Sequence, residues 1–187
     1  MKIVAFGDSL TAGFGLPQTQ AFPVKLEEAL QAEGYDVEIV NAGVSGDTAS
    51  AGLARLDRSV PEDADGVILE LGANDALRGV DPAVTREALD ETIARLKARD
   101  IEVLLAGMRS PPNMGQPYID EFEAIYPDLA EKHDILLYAF IVDGVATKPE
   151  LNQSDGIHPN AEGVEIIVER FLPTVEEFIA RIRADEP

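Results

Sequence analysis

Ser9 follows a short apolar run near the start of the chain, in Gly7-Asp8-Ser9-Leu10-Thr11-Ala12-Gly13. A serine hydroxyl is a weak nucleophile near neutral pH and needs a base to take its proton. The chain offers two histidines, His133 and His158. His133 lies in Glu131-Lys132-His133-Asp134, a polar helix end ahead of a strand. It is expected to be a solvated helix-terminus residue, at the edge of the sheet away from Ser9. His158 lies in Asp155-Gly156-Ile157-His158-Pro159-Asn160, three residues after Asp155. That spacing can put both side chains on one side of a tight turn. Asp155 would then hold the ring nitrogen facing away from Ser9, fixing tautomer and orientation. Taken alone, the pair also fits a turn or capping aspartate beside an exposed histidine. Acting together, Ser9, His158 and Asp155 would perform acyl transfer.

Acyl transfer also needs donors aimed at the developing oxyanion, each worth ~3 kcal/mol in the transition state. Gly46, in Asn41-Ala42-Gly43-Val44-Ser45-Gly46-Asp47-Thr48, offers a backbone N–H at the start of a helix expected over residues 48–58. Amides there are free, and a residue without a side chain permits close approach. Asn74, in Gly72-Ala73-Asn74-Asp75, offers a side-chain amide, and the Ser9 N–H is a natural third donor. A plain turn glycine and a loop-capping amide account equally well for Gly46 and Asn74. Asp8 and Asp75 fit loop organisers whose carboxylates accept backbone N–H groups. Arg78 either braces its loop or meets a polar part of the substrate. Met108-Arg109-Ser110-Pro111-Pro112-Asn113-Met114-Gly115 combines stiff prolines with soft methionines. With Ile157, the residues Met108, Arg109 and Pro111 would form one wall of an acyl groove, unless both methionines pack inward as core. The segment carrying Asp75, Leu77 and Arg78 would form the facing wall.

The elements needed to position these loops are visible as apolar runs. Strands are expected over residues 3–6, 37–40, 67–71, 103–106 and 135–140. They are short and apolar, as when helices cover both faces of a parallel sheet. Helical stripes lie between them: Phe22, Leu26, Ala29 and Leu30; Leu89, Ile93 and Leu96; Phe122, Ile125 and Leu129; Val164, Ile167, Val168 and Phe171. Pro173 is expected to end the last of these, with Val175, Phe178, Ile179 and Ile182 in a separate final helix. Residues 183–187 are expected to fray. The pattern predicts a three-layer α/β/α sandwich in one domain spanning 1–187, with functional loops at the carboxyl ends of the strands.

Composition narrows the partners. With 35 acidic and 15 basic residues the net charge is −20, which repels nucleic acid and anionic membrane surfaces. It also disfavours capture of polyanionic acyl-CoA relative to neutral esters, most strongly at low salt. No apolar run approaches the ~20 residues of a membrane span. No signal-peptide pattern opens the sequence, so a cytoplasmic protein, or a mature chain behind a new start methionine, is expected. There are no cysteines, which excludes disulfides and thiolate metal sites. The two separated histidines make a metal hydrolase unattractive. A nucleotide-binding module of flavodoxin type is the competing class, but the chain has no Gly-x-x-x-x-Gly-Lys loop, and Gly13-Phe14-Gly15 lacks the third glycine of a dinucleotide motif. A monomer or weak homo-oligomer acting on a small-molecule ester or thioester is expected.

Taken together, the four loop blocks resemble the SGNH hydrolases, also called the GDSL family. The signature order Ser, Gly, Asn, His is matched by Ser9 in Gly7-Asp8-Ser9-Leu10, by Gly46, by Asn74 and by His158 in Asp155-Gly156-Ile157-His158. The resemblance implies that Ser9 is nucleophile and first oxyanion donor, that Gly46 and Asn74 are the other donors, and that His158 is the base oriented by Asp155. It also implies a flavodoxin-like sheet of order 2-1-3-4-5, with no cofactor or metal. Val44-Ser45-Gly46-Asp47-Thr48, Gly52-Leu53-Ala54-Arg55-Leu56, Asn74-Asp75-Ala76-Leu77-Arg78-Gly79 and Ala124-Ile125-Tyr126-Pro127 look like the bacterial thioesterase, arylesterase and lysophospholipase branch. In that branch the segment over residues 75–80 resembles a mobile, substrate-responsive loop. The expected activity is hydrolysis of aryl and alkyl esters, with acyl thioesters and lysophospholipids as further substrates, through an acyl-enzyme on Ser9. A carbohydrate O-acetylesterase of the same family is the alternative: a small polar pocket would favour it, a long apolar groove would not.

Overall fold

Apolar β-branched and leucine side chains fill the three inner strands, and amphipathic helices cover them. The computed structural model describes residues 1–184. In chain order the elements are β1 (Lys2–Gly7), α1 (Ser9–Ala12), α2 (Phe22–Ala32), β2 (Glu38–Gly43), α3 (Ala49–Ser59), β3 (Gly66–Glu70), α4 (Ala73–Arg78), α5 (Pro82–Lys97), β4 (Glu102–Ala106), α6 (Gln116–His133), β5 (Leu136–Tyr138) and α7 (Ala161–Ala184). The five strands form one parallel sheet of order β2-β1-β3-β4-β5. Helix α2 packs on α7, while α5 packs against both α3 and α6, giving the three-layer α/β/α arrangement.

Local sequence sets the helix starts. Thr48 caps α3 by accepting the Ala51 N–H at 3.2 Å, and Asp81 caps α5 by accepting the Ala83 N–H at 2.9 Å, with Pro82 in the first turn. Register then sets the height of the loops. Gly7 pairs with Gly43 on one side and Glu70 on the other, so the chain leaves β1, β2 and β3 at the same level. The order reverses at β1, between β2 and β3, and the crevice at such a switch point is where open α/β sheets place their ligands.

Three expectations need correction. Pro173 does not end a helix: α7 runs through it for 24 residues. The apolar stripe stays in phase across the proline, and Val164, Ile167, Val168, Phe171, Val175, Phe178, Ile179 and Ile182 are all buried. An interior proline costs about 3 kcal/mol, less than the roughly 1.5–3 kcal/mol gained by burying each of several such side chains. Strand β5 spans three residues rather than six, because the chain turns away at Ala139, where the Gly107 N–H takes the Tyr138 carbonyl and the Ile141 N–H takes that of Gly107. Of the segment expected to fray, Arg183 and Ala184 are helical, and residues 185–187 lie outside the described residues.

Candidate active site

Ser9 opens α1 immediately after β1. Asp8 is the N-cap, its Oδ1 accepting the Leu10 N–H at 3.0 Å, and Gly13 closes the short helix in the left-handed region at φ +77°. A Cβ on Gly7 would lie 2.1 Å from Thr11 Oγ1 and 2.5 Å from Glu70 Oε2, so only glycine lets this turn pack onto β3. Ser9 Oγ lies 2.9 Å from His158 Nε2, and His158 Nδ1 lies 2.7 Å from Asp155 Oδ2.

The loop holding the histidine is organised by its own backbone. Asp155 Oδ1 accepts the N–H groups of Ile157 and His158, each at 3.0 Å. The Gln153 N–H reaches back to the His158 carbonyl at 2.8 Å, and Asn160 Oδ1 accepts the Gly163 N–H at the start of α7. Those N–H bonds and the histidine ring hold the Asp155 carboxyl down at about 2. It is therefore ionised and acceptor-only near neutral pH, which keeps a proton on His158 Nδ1 and leaves Nε2 free to accept one from Ser9. His133, expected to be solvated, is instead largely buried, with Nε2 2.6 Å from Asp90 Oδ1, because α6 packs against α5 there. It sits at the amino edge of β5, away from Ser9.

Gly46 has φ +87°, a conformation L side chains rarely adopt. It lines the same cleft as Ser9 and Asn74. Among the described residues neither the Ser9 nor the Gly46 N–H donates to a protein acceptor. Asn74 Nδ2 is differently placed: it donates to Asp8 Oδ2 and to the Asp47 carbonyl, both at 3.0 Å. Arg78 takes the bracing alternative, donating from Nη2 to the Gly46 carbonyl at 2.8 Å.

Two residues without a role in the sequence reading hold this edge together. Arg55, on α3, is buried beneath the loops. Its Nε pairs with Asp47 Oδ2 at 2.5 Å, Nη1 donates to the Ala42 carbonyl and Nη2 to the Gly7 carbonyl, both at 2.9 Å, and the guanidinium lies 4.1 Å from the Phe6 ring centre. One side chain thus ties the ends of β1 and β2 to the Gly46 loop. Its signal was an arginine on the same helix face as Ala49, Gly52 and Leu56. Glu70, the last residue of β3, is buried behind Ser9. Its Oε2 accepts the Asp8 N–H at 3.2 Å and the Thr11 hydroxyl at 2.9 Å, while the buried Oε1 has no partner among the described residues. Burial, reinforced by the nearby Asp8 charge, pushes the Glu70 carboxyl well above the usual range. A glutamate inside Val67-Ile68-Leu69-Glu70-Leu71 was the sequence signal.

A cleft of about 480 Å³ with mostly apolar lining opens over Ser9. Met108, Arg109 and Pro111 line one side, and Leu77 and Ile157, both more than half exposed, also line it. Met108 is nearly buried yet contributes to this wall, whereas Met114 packs toward Gly79. Asp75, grouped with the substrate contacts from sequence, is fully buried instead. Its Oδ2 accepts the Ala49 N–H at 2.9 Å and its Oδ1 the Thr85 hydroxyl at 3.0 Å, which is the loop-organising role. Arg78 does not line the cleft either, because the Gly46 tether holds its head.

An open parallel sheet whose carboxyl edge carries a hydrogen-bonded serine, histidine and aspartate beside an apolar cleft is the architecture of a hydrolase that acts on ester bonds. Residues 5–166 match the GDSL-like Lipase/Acylhydrolase family. The chain is 40% identical over 181 residues to an arylesterase of Vibrio mimicus, covering 96% of this chain and 86% of that one. It is 39% identical over 178 residues to thioesterase 1/protease 1/lysophospholipase L1 of Escherichia coli K12, covering 95% and 84%. Among solved structures it resembles AlinE4, described as an SGNH-hydrolase family esterase, with 47% identity, TM-score 0.80 and 95% of both chains covered. The chain belongs to the GDSL-like lipase/acylhydrolase family.

Proposed function

We propose that the protein hydrolyses carboxylic esters through an acyl-enzyme on Ser9. The observation that carries this is the continuous line from Ser9 Oγ through His158 to Asp155, at 2.9 and 2.7 Å, with Ser9 and His158 lining an apolar cleft. Ser9 Oγ attacks the carbonyl carbon while its proton passes to His158 Nε2. The imidazolium is stabilised by Asp155, and the oxyanion meets the N–H groups of Ser9 and Gly46. Asn74 joins them by giving up its bond to the Asp47 carbonyl, a neutral and therefore weaker acceptor than the Asp8 carboxylate or an oxyanion. As the tetrahedral species collapses, the bond to the leaving oxygen breaks and Nε2 returns the proton to that oxygen. Water, deprotonated by the same nitrogen, then attacks the acyl carbon; the carboxylic acid leaves and Ser9 regains its hydrogen.

The size and apolar lining of the cleft support an acyl chain longer than acetyl, and so favour aryl and alkyl esters over a carbohydrate O-acetylesterase. Acyl thioesters and lysophospholipids follow as further substrates, in keeping with the name of the Escherichia coli relative. The test is hydrolysis of p-nitrophenyl esters from acetate to palmitate by the native protein and by Ser9→Ala. Loss of several orders of magnitude in kcat with Ser9→Ala is expected, on the scale of about 10⁶ for nucleophile removal. Retention of most activity in Ser9→Ala would overturn the mechanism, and a profile peaking sharply at acetate would return the O-acetylesterase.

A further inference from the structure

Phe14 is an exposed aromatic ring in the site for which the chemistry so far has no use. It is 49% accessible and lines the cleft together with Ser9, Leu10 and His158. Its ring centre lies 4.6 Å from that of His158, inclined at 38°. The backbone fixes it there: Gly13 and Gly15 on either side have φ +77° and +75°, and Gln153 Nε2 donates to the Phe14 carbonyl at 2.7 Å and to the Pro159 carbonyl at 3.0 Å. The turn carrying the ring is thereby tied to the loop carrying the histidine.

The reaction assigns a place to whatever lies beside that ring. The leaving oxygen must take its proton from His158 Nε2, so it must come within about 3 Å of that atom. The group attached to this oxygen then projects past the imidazole, where the open face of Phe14 stands. The acyl chain is attached on the other side of the carbonyl carbon. We infer that Phe14 is the wall of a leaving-group subsite and confers preference for esters of aromatic alcohols. This rests on the serine mechanism proposed above and assigns, within the same cleft, the part that receives the leaving group.

The experiment compares phenyl acetate with cyclohexyl acetate, which share the acyl group and differ in the aromaticity of a leaving group of similar size. The quantity read is kcat/KM in a pH-stat for the native protein, Phe14→Ala, Phe14→Leu and Phe14→Tyr, with Ser9→Ala as control. Each substrate is compared with itself across variants, so intrinsic reactivity cancels. In Phe14→Ala and Phe14→Leu, kcat/KM for phenyl acetate should fall about 2- to 12-fold further than for cyclohexyl acetate, the range of an aromatic pair. Phe14→Tyr should restore the preference. If both substrates lose equally, Phe14 only positions His158 and the inference is overturned. If the loss instead tracks acyl length at constant leaving group, the ring belongs to the acyl wall and the inference is overturned too. If native turnover does not depend on Ser9, the underlying mechanism has failed and the subsite falls with it; Ser9-dependent turnover without phenyl selectivity removes the subsite alone.

Discussion

Replacing Arg55 with methionine should damage stability and activity together, although residue 55 touches no substrate. The substitution keeps an unbranched apolar stem over Phe6 but removes three donors at once. Asp47 Oδ2 loses its partner at 2.5 Å, and the Ala42 and Gly7 carbonyls lose theirs at 2.9 Å. Side chains 55 and 47 are only 5% and 15% accessible, so water cannot fully replace those bonds. Breaking a buried ion pair from one side costs about 3–5 kcal/mol, mostly because the remaining charge stays buried and unpaired. In a chain of this length each kcal/mol corresponds to about 2–4 °C in Tm, so Arg55→Met should melt roughly 6–20 °C lower by calorimetry. Removing the abandoned charge should recover part of this: Arg55→Met/Asp47→Leu should melt above Arg55→Met alone. Activity does not return with stability, because the Gly7 carbonyl precedes the Asp8–Ser9 turn and Asp47 follows Gly46. Ester hydrolysis measured well below both melting temperatures should therefore stay depressed in the double variant. If Arg55→Met melts within about 2 °C of the native protein and keeps its kcat/KM, the clasp is ornamental and this account of loop positioning is wrong.

Four further outcomes follow from the site. Asn74→Ala should lower kcat by about 10²–10³ with little change in KM, the signature of a donor used in the transition state; an effect confined to KM would assign Asn74 to ground-state binding. Asp155→Asn should lower kcat by about 10²–10⁴. Because the Asp155 carboxyl is lowered from 3.8 to about 2, its stabilisation is complete above 3.8 and disappears as pH falls toward 2. The melting difference between native protein and Asp155→Asn should accordingly shrink over that acid window, and a constant difference would refute it. For Glu70 the sign reverses: its carboxyl is raised above 4.5, so its contribution is full below 4.5 and is lost as pH rises through the folded value. Glu70→Gln should gain stability relative to native protein as pH rises above 4.5; parallel pH–Tm curves would mean that burial does not raise the Glu70 carboxyl. Finally, the net charge of −20 should slow acyl-CoA hydrolysis relative to neutral aryl esters at about 0.01 M salt, where screening extends only beyond about 30 Å, with the gap narrowing at higher salt. A preference for acyl-CoA at low salt would show that local cations such as Arg109 outweigh the global field.

What the sequence disclosed, and what it hid, divides along contact range. The strands and the Asp155–His158 turn were legible because their determinants are local: apolar runs for the sheet, and a carboxylate three residues from a histidine that can accept two backbone N–H groups in the intervening turn. The α7 boundary at Pro173 was misread because a local breaker competed with burial on both sides of it, a quantity set by the packing of α2. Arg55, Glu70 and Phe14 were passed over for a related reason. Each bonds to segments distant in sequence: Arg55 to Gly7 48 residues away, Glu70 to Asp8 62 away, and the Phe14 carbonyl to Gln153 139 away. Such pairings exist only once the parallel register has brought Gly7, Gly43 and Glu70 level at one edge. The placement of the reactive groups therefore follows from the sheet register. A one-residue slip of β2 against β1 would move the Gly46 loop by about 3.3 Å, the rise of a strand residue, and take its N–H out of reach of the oxyanion in the mechanism we propose. Burying Arg55 across that seam penalises such a slip, because its three donors find their acceptors in only one register. A polar group costly to bury is thus retained where it makes the alternative arrangement costlier still.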